Sequence, residues 1–163
     1  MNILNVLPII IIMVLSLILI KMKKQKSNIE EEKDNKKIYE EKQLKGEEYE
    51  RRVGEEYEKE GYIVEYRGIN KNLNDFGIDL IAIKENETLL IQCKNWSNES
   101  KYKIREKEVK EFYGACNFYL EENNLTKENI LFIYAIPDKK IINQKAMSIF
   151  KKHFKNCRYK EIK

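Results

Sequence analysis

The stretch NILFIYAIP, residues 129 to 137, is apolar from Ile130 to Ile136. A strand with one wet face alternates polar and apolar residues, so an unbroken apolar strand reads as one covered on both faces. A fold built on it needs helices on each side of a sheet. The sequence supplies them. GEEYERRVGEEYEKEGY (46 to 62) repeats Tyr49, Val53 and Tyr57 at four-residue steps, the stripe of a helix, with Gly61 as its stop signal. REKEVKEFYGACNFYLEENN (105 to 124) puts Val109, Phe112, Tyr113, Cys116 and Leu120 on one helical face, and KKIINQKAMSIFKKHFKN (139 to 156) predicts a third amphipathic helix. Between them YIVEYRG (62 to 68), GIDLIAIKE (77 to 85) and TLLIQCKNW (88 to 96) read as strands, the last two joined by the turn ENET. The expected class is α/β, a mixed sheet flanked by helices in the order αβββαβ, then the third helix.

At 163 residues the chain holds one compact domain plus extensions. The first extension is an uncharged apolar run from Ile3 to Ile20, followed by Lys21, Lys23, Lys24 and Lys26. A membrane span takes about 20 apolar residues. No Lys or Arg precedes the run and no small-residue cleavage site ends it, so a cleaved signal peptide does not fit. The lysines predict a single-pass transmembrane anchor over 3–20, with everything after Lys21 in the cytoplasm. Residues 21–45 are nearly all charged or polar, a solvated linker or a charged helix held by Glu–Lys pairs. The domain proper is expected over 46–155, with a basic tail at 156–163.

Those four lysines account for the net charge of +4, so global charge does not argue for a nucleic-acid partner. Locally, Lys139, Lys140, Lys151 and Lys152 belong to a basic C-terminal segment. It could track a phosphate backbone or lie against anionic lipid. Cys93, Cys116 and Cys157 lack metal-type spacing and read as free buried thiols of a reducing compartment.

Gln92 and Lys94 are the anomaly of the third strand, an amide and an ammonium sharing a face with Leu90, where desolvation is costly. A hairpin loop with an even number of residues, such as Asn86–Glu87 or Glu85 to Thr88, pairs Ile83 with Leu90 and Asp79 with Lys94. Asp79, Gln92 and Lys94 then project from one side of the sheet. A carboxylate and an amide oxygen are hard ligands that suit Mg²⁺, and an ammonium beside them can orient a water or neutralise charge on a phosphate. Metal-assisted phosphodiester hydrolysis uses that set. Glu50, one turn before Val53, lies at the margin of the first helix's stripe.

NDFGIDLIAI followed by LLIQCKN, with GEEYERRV upstream and VKEFYGA downstream, resembles the PD-(D/E)xK nuclease superfamily, and within it the catalytic domain of Mrr-type restriction endonucleases. The resemblance covers about residues 46 to 155 and implies a restriction-endonuclease-like fold that cleaves DNA with Mg²⁺, or Mn²⁺, and no small-molecule cofactor. It implies that Asp79, Gln92, the backbone carbonyl of Cys93 and Glu50 serve the metal and that Lys94 is the catalytic lysine. Asp75 and Gly77 match the loop before the aspartate. Two departures matter. Gln92 stands where the superfamily commonly has an acid, and a membrane segment stands where Mrr-type enzymes often carry a DNA-reading domain. The alternative is therefore a weakly active or inactive nucleic-acid-binding module at the membrane. Double-strand cutting takes two active sites, which is compatible with a homodimer.

Overall fold

The computed structural model describes residues 3–69, 77–97 and 102–163, the side chains of 3–20, 27, 29 and 30 excepted. Asp75 and the side chains of the apolar run lie outside the described residues. Among the described residues no helix is long and apolar enough to cross a membrane. The chain divides into two compact units, Met1–Gln43 and Leu44–Lys163.

Helix α1 runs Ile3–Lys59, so the charged stretch takes the helical one of its two expected states. From Leu44 onward α1 belongs to the second unit and buries Tyr49, Val53 and Tyr57. It ends where the sequence says it should. Tyr62 N–H donates to Tyr57 O (3.0 Å) and Gly61 N–H to Glu58 O (2.9 Å), closing the last turn. Gly61 sits at φ +89°, a conformation that glycine takes at little cost.

A five-stranded mixed sheet follows, in the order β1 (Ile63–Tyr66), β2 (Leu80–Lys84), β3 (Glu87–Cys93), β4 (Ile130–Ile136), β5 (Cys157–Glu161). The first three strands are antiparallel, and β3, β4 and β5 are parallel. Helix α2 (Glu106–Glu122) connects β3 to β4, and α3 (Gln144–Lys152) connects β4 to β5. One face of the sheet packs Leu80, Ala82, Ile91, Cys93 and Ala135 against the α1 stripe. The other packs Ile81, Leu90, Phe132, Tyr134 and Ile136 against Val109, Phe112, Cys116 and Leu120 of α2 and Ala146 and Phe150 of α3. The apolar segment at 130–136 is thus covered on both sides.

Two expectations are corrected. The hairpin turn is Glu85–Asn86, with Glu85 at φ +50° and Lys84 opposite Glu87. Ile81, not Ile83, therefore lies opposite Leu90. The shift is two residues, which leaves the side chains from Leu80 to Lys84 on their expected faces but moves Asp79 away from the position opposite Lys94.

The predicted helix over 139–156 is broken into a 3₁₀ turn and a shorter helix, and the predicted basic tail is a strand. The Asp138 side chain accepts from Lys140 N (2.8 Å) and starts a single 3₁₀ turn, Lys139–Ile141. Asn143 accepts from Ala146 N (2.8 Å) and starts α3. Short polar side chains that cap in this way compete with helix continuation. After His153 the chain enters β5, an edge strand whose Arg158 and Lys160 suit an edge, where charge discourages further pairing.

Candidate active site

The alternation of β2 fails just before its first residue. Leu80 packs on the α1 side of the sheet and Ile78 on the α2 side, although strict two-residue alternation would put them together. Asp79 lies between them. Its N–H donates to Ile91 O (2.8 Å), although Ile91 is the residue paired with Leu80, so the ladder slips by one residue there. Its carbonyl accepts from both Arg67 N (2.8 Å) and Gly68 N (3.0 Å). The backbone of Asp79 is thereby held from both neighbouring strands, which aims its carboxylate.

Asp79 Oδ2 accepts the backbone N–H of Cys93 at 2.6 Å. A Cβ placed on Gly68 would lie 3.2 Å from Asp79 Oδ1 and 2.5 Å from Glu50 Oε2. The carboxylates of Asp79 and Glu50 therefore approach one point, beside a residue that has no side chain to fill it. The electrostatics agree. Burial holds the Cys93 thiol well above its usual range, the charges of Asp79 and Glu50 push it the same way, and Lys94 pulls it down. All three charged groups surround the end of β3.

Gln92 Nε2 donates to Gly77 O (2.9 Å), which ties the middle residue of Gln92–Cys93–Lys94 to the chain just before Asp79 and leaves its Oε1 as the remaining acceptor. Lys94 N–H donates to Ala135 O (3.0 Å), fixing the strand end against β4. Gln92 and Lys94 line a cavity of about 180 Å³ with Gly77, Glu108, Glu111 and Tyr134. Burial keeps the Tyr134 phenol protonated far above its usual range, helped by the negative charges of Glu108, Asp79 and Glu111. The charge of Asp79 thus reaches both the Glu50 side and the cavity side.

A model of a restriction endonuclease family, Mrr_cat, matches residues 41–127. The chain belongs to that family. The match begins within α1 and ends after α2, so it takes in Glu50, Asp79, Gln92 and Lys94 and stops short of β4 and β5. No curated protein matches the chain. Among solved structures it is similar to a repair endonuclease from Pyrococcus abyssi (14% identity, TM-score 0.42, covering 63% of this chain and 38% of that one). It is also similar to a protein of unknown function (17% identity, TM-score 0.48, covering 68% and 56%). The chain spans less than two thirds of either structure's length.

The four lysines expected to touch nucleic acid do not form one patch on this restriction endonuclease domain. Lys139 and Lys140 follow β4 at the end of the sheet that carries the site, and Lys103 Nζ donates to Lys140 O (3.1 Å). Lys151 and Lys152 close α3, which has returned to the other end, where Cys157 pairs with Phe132. A crossover between parallel strands must make that return, so a helix cannot keep both its ends near one site.

Four residues of the candidate site carry no signal that singles them out in the sequence. Glu108 and Glu111 flank the buried stripe of α2, the same marginal position that Glu50 takes on α1. Arg105 donates from its guanidinium to Glu108 Oε1 (2.5 Å) and from its backbone N–H to Oε2 (2.9 Å). The side-chain hydrogen bonds hold the Glu108 carboxyl down at about 2. Gly68 and Tyr134 carry no local signal at all. Their place comes from tertiary packing.

Proposed function

We propose that this chain is a membrane-tethered, metal-dependent DNA endonuclease. The observation that carries the reading is the approach of the Glu50 and Asp79 carboxylates to one point beside Gly68, next to the Gln92–Cys93–Lys94 strand end.

The residues present fit a hard divalent cation. Two carboxylates approach one point beside Gly68, and no metal-holding cluster of three His, Cys, Asp or Glu occurs among the described residues. The set is then two anionic oxygens completed by neutral ones, from the Gln92 amide, the Cys93 carbonyl and water. That composition suits Mg²⁺ or Mn²⁺, which keep waters and substrate oxygens in their shell. A bound cation would supply Lewis-acid polarisation of the phosphodiester and a more acidic water.

The chain's own residues do the rest. Asp79 and Glu50 hold negative charge at a fixed place, and the Cys93 N–H keeps Asp79 from rotating. Lys94 brings a positive charge to the site, where it orients the attacking water and offsets charge developing on the phosphate. The neutral Gln92 lowers the anionic count, so cation affinity leans on Glu50. The apolar run with its lysine flank anchors the chain in a membrane, with the nuclease unit on the cytoplasmic side.

The test is cleavage of supercoiled plasmid DNA by the full-length chain with Mg²⁺ or Mn²⁺, beside Lys94→Ala. Loss of cutting in the variant, with DNA binding retained, supports the reading. Equal cutting by both removes Lys94 from the mechanism. Binding without cutting in the wild type assigns the chain instead to inactive nucleic-acid-binding modules of this fold.

A further inference from the structure

The Tyr134 side chain is wholly buried, at 0% exposure, and its hydroxyl has no hydrogen-bond partner among the described residues. Its ring is clamped edge-on by Phe112 (centroids 5.4 Å apart, planes at 85°) and by Phe150 (5.9 Å, 68°), which stops the hydroxyl from swinging elsewhere. Buried tyrosine hydroxyls are nearly always paired, because losing water without a replacement is costly. Phenylalanine would fill the same hole without that cost. The hydroxyl therefore needs an explanation outside packing.

The cavity beside it provides one. Its volume of about 180 Å³ exceeds the ~30 Å³ that a water molecule occupies in the liquid. Its lining residues include Gln92, Lys94, Glu108, Glu111 and Tyr134 beside the apolar Phe112 and Ala115, and the polar groups of the first five give a water the partners it needs. In the parallel β3–β4 ladder Gln92 lies opposite Tyr134, so the two side chains share a face, roughly 5 Å apart at their strands.

We propose that Tyr134 is a positioning residue of the active site, donating a hydrogen bond to a water in this cavity that links it to Gln92 and Lys94. That water receives from the Tyr134 O–H and the Lys94 ammonium. It donates to Gln92 Oε1 and to one of the two carboxylates, Glu108 or Glu111. The bridge fixes the amide oxygen that faces the cation and the ammonium that faces the attacking water. Burial and the surrounding negative charge keep the phenol protonated, so it remains a donor across the physiological range.

The inference rests on the nuclease reading, and one experiment separates their fates. Full-length wild type and Tyr134→Phe are compared by thermal unfolding without divalent metal and by steady-state DNA cleavage with Mg²⁺. The expected result is an unfolding midpoint equal to or above wild type, an unchanged KM for DNA, and kcat lower by roughly 10- to 100-fold, the usual cost of losing an outer-shell partner. Unchanged kcat overturns the inference and leaves the nuclease reading standing. A lower kcat accompanied by a lower midpoint also overturns it, because the hydroxyl is then structural. A wild type that does not cut overturns both.

Discussion

Glu50 on α1 and Asp79 at the head of β2 direct carboxylate oxygens at the same point, 2.5 and 3.2 Å from where a side chain on Gly68 would begin. Two like charges brought together from separate elements repel unless a cation lies between them. The absence of a Cβ at residue 68 is what lets both oxygens come so close.

Gly68→Ala should therefore act on cation binding. The new methyl group meets Glu50 Oε2 and displaces it. Calorimetric titration with Mn²⁺ should show affinity weakened roughly 10-fold or more, with overpacking costing about 1–3 kcal/mol in stability. Affinity equal to wild type would show that Glu50 takes no part in holding the ion.

Asp79→Asn separates charge from architecture. The amide oxygen can still accept the Cys93 N–H, so the strand end should keep its hydrogen bond and the unfolding midpoint should stay within a few degrees of wild type. Cleavage should fall by at least roughly 100-fold, because a neutral group cannot replace the anionic ligand. Plasmid nicking at matched enzyme concentration is the measurement.

The Arg105–Glu108 pair predicts a pH-dependent contribution to stability. The Glu108 carboxyl titrates near 2 in the folded protein against 4.5 without its partners. A depressed carboxylate stabilises the fold above its unfolded value, and that contribution disappears as pH falls from about 4.5 towards 2. Glu108→Ala should lower the unfolding midpoint at pH 7 by an amount corresponding to about 1 kcal/mol, the usual worth of a helix cap, and by much less at pH 2.5. A gap that stays constant with pH would mean that the loss comes from packing.

Tyr49→Phe probes the join between α1 and the last strand. Tyr49 is 1% exposed and donates to Ile162 O at 3.0 Å. Removing the hydroxyl leaves a buried carbonyl unpaired and should cost about 1–3 kcal/mol, or roughly 2–10 °C in midpoint for a chain of this size.

Membrane tethering has its own test. Full-length chain expressed in cells should pellet with membranes and resist extraction by high salt, and a chain lacking residues 1–20 should not. Release of the full chain by salt would point instead to an electrostatic association through the lysines.

The order of helices and strands through β4 is legible in the sequence, because the periods of four and two residues set it directly: Tyr49, Val53 and Tyr57 for α1, the apolar run 130–136 for β4. The catalytic candidates are legible for the opposite reason, since Gln92 and Lys94 break the pattern of a buried strand. Illegible is whatever depends on how one segment meets another. The slip at Asp79 needs the Ile91 carbonyl, the gap at Gly68 needs α1 against β2, and the Tyr134 hydroxyl acquires meaning only from the wall formed by α2. β5 was hidden by its charges, which suit a helix face and an edge strand equally well.

The hydrogen bond from Tyr49 to Ile162 joins residues 113 apart in sequence. On the ribosome, the helix carrying Glu50 emerges long before the carbonyl that secures it. Until residue 162 has left the exit tunnel, that helix lacks this anchor on the sheet. A nascent chain therefore carries Asp79, Gln92 and Lys94 already translated while the helical turn that bears Glu50 still lacks that bond.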